Sequence, residues 1–248
     1  MISIVCVNNN DKILNNYLLK SLENQTLDYE LIIVDNTKGT FKSAAEALNY
    51  GGRKAKRKYI MFVHNDVSLS SNKWLEETEK MLDSLSNLGI AGVAGKKNHD
   101  GVMTNVTHGD PPKLAGKISI QSPIKVQTLD ECLIIIPKCV FEVLQFDEKV
   151  CDNWHLYAVD YCLSVKILGF DAYVIPKGIY HRSSGYSMSE IYYVTLKKVS
   201  NKHNKSYKNV YTTMGDWNTS NPLILQRIWK KLKCIPKYLS AKLIAERC

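Results

Sequence analysis

Apolar residues along this chain come in two alternating rhythms. Short unbroken β-rich runs occupy Ile2 to Val7, Glu30 to Asn36, Tyr59 to Val63, Ile90 to Ala94, Cys132 to Ile136 and Ala172 to Ile175. These runs predict strands, and Tyr59 to Val63, apolar or aromatic without a break, predicts a central strand of a sheet covered on both faces. Between them the period changes to three and four. Ile13, Leu14, Tyr17, Leu18 and Leu22 follow Asp11; Ala44, Ala45, Ala47 and Leu48 lead to a helix end at Gly51-Gly52; Trp74, Leu75, Thr78, Met81, Leu82 and Leu85 follow a Ser71-Asn72 cap. A further helix is predicted from near Ala158 to Gly169, with Asp160 in its first turn, where the helix dipole favours a carboxylate. Residues 98–125 are rich in turn signals and read as a loop region. The alternation predicts an α/β, doubly wound, mostly parallel sheet with helices on both faces.

The strand ends carry the chemistry. Strands joined by helices run parallel, so Asn8-Asn9-Asn10, Asp35-Asn36 and His64-Asn65-Asp66 fall on one edge of the sheet, where open α/β sheets bind ligands. In extended backbone His64 and Asp66, two apart, point to one side, so an imidazole and a carboxylate can share an ion or phosphate; the bland alternative is a polar turn with Asp66 capping the next helix. No G-x-G-x-x-G follows the first strand and no phosphate loop occurs, which speaks against a dinucleotide-binding site.

Composition is that of an ordinary globular protein, 45% apolar and 23% charged. No apolar run reaches the ~18 residues of a membrane span, and the first residues resemble a strand, not a signal peptide. Seven cysteines with no C-x-x-C predict reduced, buried thiols and a cytoplasmic location. Charge divides the chain: residues 190–248 hold twelve Lys and Arg against three Asp and Glu, net +9, while the first 189 hold 21 of each sign. This predicts a domain over 1–189 and a basic, mainly helical extension over 190–248.

The order of strand-Asn8, strand-Asp35-Asn36, Ala47-Leu48-Asn49-Tyr50-Gly51, the 59–66 stretch, Phe146-Asp147-Glu148, the Trp154 to Gly169 segment and His181 resembles the GT-A fold of family-2-like nucleotide-sugar glycosyltransferases. The resemblance covers roughly residues 1–185. It implies an inverting, metal-dependent transfer of sugar from a nucleoside-diphosphate donor, UDP type favoured, to a glycan or lipid-linked hydroxyl. Asp66 matches the principal ligand of the family's Asp-x-Asp motif, with His64 in place of the first Asp. That exchange removes one negative charge and moves preference from Mg²⁺ towards Mn²⁺. His181 matches the late metal-binding histidine. Asp35 matches the residue that recognises a pyrimidine base; Asn8, Asn49 and Asn65 match positions beside the nucleotide. Asp160 matches the general base, although the usual carboxylate pair is Val159-Asp160 here. Trp154 resembles the aromatic residue that stacks on the acceptor sugar, and Asp130-Glu131 stand where they can line the acceptor side.

Two other classes share these residues: a metal-dependent hydrolase or nucleotidyltransferase, and a non-catalytic sugar-nucleotide or glycan-binding module. Nucleic acid is not expected as a partner, and nothing in the sequence sets the oligomeric state. In the extension, Leu223, Ile224, Leu225, Ile228, Leu232 and Ile235 recur at three and four, with Arg227, Lys230, Lys231 and Lys233 between them and Trp229 at the boundary. This basic amphipathic pattern over 223–247 suits an anionic membrane interface or a helix packed on the domain.

Overall fold

The computed structural model describes residues 1–183, 188–230 and 232. Seven strands form the central sheet: β1 (Ile2–Asn8), β2 (Tyr29–Asp35), β3 (Tyr59–Val63), β4 (Leu88–Gly92), β5 (Ile124–Val126), β6 (Leu133–Pro137) and β7 (Asp171–Val174). They lie in the order β5-β7-β4-β6-β3-β1-β2. β1 pairs in parallel with β2 and β3, and β4 with β7; β6 runs antiparallel between β3 and β4, and β5 runs antiparallel at the edge beside β7. Five of the seven strands therefore share one direction, as the alternating rhythm predicts.

Each central strand sends side chains into two separate cores, which is why its apolar run is unbroken. Val5, Ile60, Phe62, Ile134 and Ile136 pack on one face with helices α2 (Ala44–Gly52), α4 (Tyr157–Ile167) and α5 (Glu190–His203). Ile4, Met61, Val63, Leu133 and Ile135 pack on the other with α3 (Trp74–Ser84) and α1, which runs as Asp11–Leu14, a π-helical turn Asn15–Leu19, and Lys20–Leu22. Each fully buried side chain of this size contributes about 1.5–3 kcal/mol.

Gly51 and Gly52 lie inside the last turn of α2 and serve packing more than termination. A Cβ on Gly51 would stand 2.9 Å from Val34 Cγ2 and closer still to Val5 Cγ1; one on Gly52 would stand 2.5 Å from Phe141 Cζ. Only glycine lets this helix lie against the sheet so closely. α3 starts at Trp74 without a side-chain cap, so Ser71-Asn72 do not cap it; the burial of Trp74 and Leu75, both 0% exposed, anchors its start.

The expected boundary at 189 is not a boundary of packing. Tyr192, Leu196 and Val199 of α5, then Val210 and Trp217 of the hairpin Asn209–Thr212 and Gly215–Asn218, belong to the same core as Val5 and Phe62. The hairpin is tied on by Gln127, whose Oε1 accepts from Tyr211 N at 2.7 Å and whose Nε2 donates to Asn209 O at 2.9 Å. Residues 223–230 form a last helix. Ile235 and the predicted continuation of that helix beyond Leu232 lie outside the described residues. No helix among the described residues is long and apolar enough to cross a membrane.

Candidate functional site

A cavity of about 400 Å³ opens at the carboxyl ends of β1 and β3, the edge where the strand-end polar residues were expected. It lies within the volume range of small-molecule sites. His64, Asn65, Asp66, Asp130, Glu131, Trp154, His155, Tyr157, His181 and Thr213 are among the side chains lining it. A smaller recess of about 110 Å³ adjoins it, sharing Asp130, His181, Ser183, Thr213 and Met214.

Local chain geometry explains how a histidine from the far end of the domain reaches Asp66. The strands Val67–Leu69 and Ile179–His181 pair antiparallel with His181 opposite Val67. Arg182 N donates to the Asp66 backbone carbonyl at 3.0 Å, which ties the two segments together, and Ser183 N donates to Asp66 Oδ2 at 3.2 Å, which fixes the carboxylate. His64, Asp66 and His181 then offer three ligand atoms within 4.8 Å of one another. His181 Nε2 stands 3.2 Å from Asp66 Oδ1 but off the line of a hydrogen bond, so this buried nitrogen is left without a donor or acceptor partner. Donors that converge without bonding each other fit a common divalent cation, since bonds of ~2.1 Å hold ligand atoms about 3–4 Å apart. Two imidazoles and one carboxylate favour a softer divalent ion over Mg²⁺.

The charge state of the cluster is set by its surroundings. Burial would push the Asp66 carboxyl up, but His181 and His64 together outweigh it and hold it below the ordinary range. Burial, then the charge of His181, lowers the pKa of His64, leaving it a neutral ligand at ordinary pH. The Tyr157 hydroxyl donates to the Glu131 carbonyl at 3.1 Å and lies 3.2 Å from His64 Nε2. With its one hydrogen committed to that carbonyl, the Tyr157 oxygen accepts from His64 Nε2–H, and the lone pair of His64 resides on Nδ1.

Three carboxylates line the cavity: Asp66, Asp130 and Glu131. Asp130 accepts from Thr213 Oγ1 at 2.8 Å and from Cys132 N at 3.1 Å. Glu131 is different. Its Oε1 is buried and accepts no hydrogen bond. Burial, then the neighbouring Asp130 charge, raises its pKa well above the ordinary value, against the opposing pull of the Tyr157, Leu156 and Ala158 N–H groups at the start of α4.

Asp160 is not brought to the cavity. It is 2% exposed and turned towards α5, its Oδ2 2.7 Å from Lys202 Nζ and its Oδ1 2.8 Å from His203 Nε2. The carboxylate at the start of α4 thus joins two helices instead of facing substrate, which corrects the expectation of a general base there. Asn49 is corrected in the same way: both ends of its buried amide hold the loop that follows the short helix Lys138–Val143, Nδ2 donating to Phe146 O at 2.9 Å and Glu148 Oε1 at 2.8 Å, and Oδ1 accepting from Phe146 N at 3.0 Å. Asn8 is 3% exposed; it donates to Asp11 Oδ1 at 2.6 Å and accepts from Asn10 N at 3.0 Å, shaping the loop after β1 without lining the cavity. Asn65 does line it, donating to Asn9 Oδ1 at 2.9 Å. Asp35 stands beside Asn8 in the sheet register, exposed, its Oδ1 accepting from Thr37 N at 2.8 Å and Thr37 Oγ1 at 2.7 Å. Trp154, 43% exposed, stands at the cavity wall. Tyr157, Thr213 and Met214 carried no functional signal in the sequence; the last two lie past the expected boundary, at the tip of the hairpin Asn209–Thr212 and Gly215–Asn218.

A mostly parallel sheet that places a cation-competent His-x-Asp at the end of its central strand, and folds a late histidine back onto it, has the architecture of the GT-A glycosyltransferases. Solved structures carry the same likeness. Staphylococcus aureus TarS 1-349 in complex with UDP-GlcNAc aligns with a TM-score of 0.58 at 12% identity, over 81% of this chain and 66% of that one. The mannosyltransferase PcManGT from Pyrobaculum calidifontis, in complex with GDP-Man and Mn²⁺, aligns with a TM-score of 0.56 at 12% identity, over 84% of this chain and 65% of that one. GalNAc-T7 with UDP, GalNAc and Mn²⁺ aligns at 0.59 and 13%, over 82% and 47%. The chain therefore spans less than two thirds of the length of each. Residues 2–211 match the model of the family described as "Glycosyltransferase like family", and the chain belongs to that family. No curated protein matches the chain by sequence.

Proposed function

We propose that this protein transfers a sugar from a nucleoside-diphosphate donor, of UDP type, to a hydroxyl of a glycan or lipid-linked acceptor, with inversion at the anomeric carbon. The observation that carries the proposal is the convergence of His64, Asp66 and His181 in the cavity at the end of β3. The aligned structures bound to UDP-GlcNAc, GDP-Man, UDP and Mn²⁺ support a donor of this class. A divalent ion held by these three residues, Mn²⁺ before Mg²⁺, would offset the charge that grows on the departing diphosphate. Asn65 lies on the donor side beside the loop after β1, and the exposed Asp35 is open to a pyrimidine ring at the same edge of the sheet.

The acceptor hydroxyl needs a carboxylate to take its proton as it attacks C1. Glu131 fits that part: it lines the cavity, its Oε1 has an unfilled acceptor, and its raised pKa brings it towards the working range of a general base. Asp130, fixed by Thr213 and Cys132, orients the acceptor, and Trp154 offers its indole face to a sugar ring. One displacement then suffices, and no enzyme nucleophile is required. Calorimetry with UDP-, dTDP- and GDP-sugars, with Mn²⁺ and with EDTA, tests the donor and the ion. Equal affinity under both conditions, in wild type and in Asp66→Ala, would remove the cation from the reading. Donor cleavage that no acceptor stimulates would favour a hydrolase instead.

A further inference from the structure

The last described helix is inside out. A helix packed on a domain buries its apolar stripe and exposes its charges. Here Ile224, Leu225, Ile228, Trp229 and Leu232 are 64%, 54%, 48%, 64% and 56% exposed. The polar residues between them face the domain, where Leu223 of the first turn is the apolar side chain packed on the core. Gln226 Nε2 donates to Asn218 O at 2.8 Å and Asn221 O at 2.9 Å, and its Oε1 accepts from Asn218 N at 2.8 Å. Arg227 forms a two-bond pair with Glu190 and lies 3.8 Å from the centre of the Tyr193 ring. Lys230 Nζ sits 3.4 Å over the Trp217 ring, half-buried enough that its pKa falls to about 8. Three polar anchors thus fix the rotation of the helix about its axis, and that rotation turns the apolar stripe outwards. α5, to which Arg227 ties the helix, adds exposed Ile191 and Val194, 57% and 54%.

We propose that this stripe is the seat of an anionic lipid bilayer, with the helix lying in the plane of the interface. Charge decides between the possible occupants. From Trp217 to Ala245 the sequence has no Asp or Glu and six Lys and Arg, namely Arg227, Lys230, Lys231, Lys233, Lys237 and Lys242. Glu190 balances Arg227, but a second copy of the chain, docked stripe to stripe, would still bring two sets of Lys231, Lys233, Lys237 and Lys242 together with no Asp or Glu in the same stretch of either. A surface of anionic headgroups over acyl chains complements both features, accepting aliphatic side chains and an indole at the boundary while surrounding cations with negative charge.

The test uses the full chain and the triple variant Ile224→Ser, Ile228→Ser, Leu232→Ser, whose changes all point away from the domain and leave the anchors intact. Both are sedimented with vesicles of phosphatidylcholine alone and with phosphatidylglycerol added. The wild type should partition onto anionic vesicles at about 0.05 M salt, at least tenfold less at about 0.5 M, and at least tenfold less onto neutral vesicles. The triple variant should lose at least tenfold on anionic vesicles with an unchanged melting temperature. Wild type that ignores anionic vesicles at low salt overturns the proposal, as does a variant that binds them equally well. A wild-type dimer in solution that the triple variant dissolves, with no vesicle binding, would assign the stripe to a second copy instead.

Discussion

Asp160→Ala separates a structural carboxylate from a catalytic one. The side chain is 2% exposed and makes two short polar contacts, to Lys202 at 2.7 Å and His203 at 2.8 Å. Removing it orphans His203 Nε2 in a site where the ring is 1% exposed and Nδ1 already has no hydrogen-bond partner. Breaking a buried pair by deleting one partner costs about 3–5 kcal/mol. Lys202 moderates this, because its side chain is 30% exposed and it keeps Asp147 at 2.9 Å, so the expected loss is about 2–4 kcal/mol. For a domain of this size each kcal/mol moves the melting temperature by about 2–4 °C, so the variant should melt roughly 5–15 °C below wild type. Circular dichroism reads the melt, and transfer is measured per folded molecule well below it. Asp160→Asn, which keeps the shape and part of the hydrogen bonding, should fall between. The reasoning fails if Asp160→Ala melts with wild type while folded protein loses transfer a hundredfold, for then the carboxylate acts on substrate.

Other substitutions read the cavity and its support. Glu131→Gln should cut transfer by ~10²-fold or more with nucleotide affinity unchanged, and should abolish an acid limb lying above the ordinary glutamate range. Because the folded state raises the pKa of Glu131, it holds a proton that the unfolded chain releases, so stability falls as pH rises past the ordinary glutamate value. Glu131→Gln should therefore melt above wild type near pH 8 and alongside it near pH 4, and identical stability profiles would contradict the buried carboxyl. His64→Asp restores two carboxylates around the ion and should shift cation preference from Mn²⁺ towards Mg²⁺, measured as the ratio of nucleotide affinities in the two metals. Gly52→Ala places a Cβ 2.5 Å from Phe141 Cζ and 3.0 Å from Phe62 Cζ, and should cost about 1–3 kcal/mol in urea unfolding without altering nucleotide affinity.

The sheet was legible because both its faces are covered, which writes β3 and β6 as unbroken apolar runs. The His64-Asn65-Asp66 end of β3 was legible for the same reason: polarity begins where the strand leaves the core. The direction of a helix-borne carboxylate was not. Asp160 sits where a helix dipole and a substrate could each hold it, and only the arrival of Lys202 and His203 from α5 decides the matter. Glu131 offered the opposite difficulty, since a carboxylate just before a buried strand reads as a solvated turn until Tyr157 and the start of α4 close over it. The boundary at 189 failed through charge. Lysines such as Lys197 and Lys198 lie on the outer side of α5, while Tyr192, Thr195, Leu196, Val199, Ser200 and His203 form a buried stripe at helical spacing. That stripe was present in the sequence, but the net charge of the segment outweighed it.

The same competition decides the last helix, with the opposite result. Its period of three and four was plain, and period alone says that one face is apolar without saying which way the face points. Normally hydrophobic burial settles the direction, at about 0.8 kcal/mol per buried CH₂. At this position the domain presents Glu190, Tyr193, Asn218 and Trp217, a surface of one carboxylate, one amide and two ring faces. Those groups select Arg227, Gln226 and Lys230 over leucine and isoleucine, because a cation over a ring gains more there than an aliphatic chain against a carboxylate. The receiving surface thus turns the helix, and the stripe it exposes is continuous with a segment whose only charges before Glu246 are positive. Exchanging the anchors tests the direction itself: Arg227→Leu with Lys230→Leu should free the rotation, raise the exposure of Gln226 to hydrogen exchange, and weaken anionic-vesicle binding by more than the same loss of charge in Lys233→Leu with Lys237→Leu does. Stronger vesicle binding by that variant would mean that hydrophobicity alone, and not the anchored orientation, governs the helix.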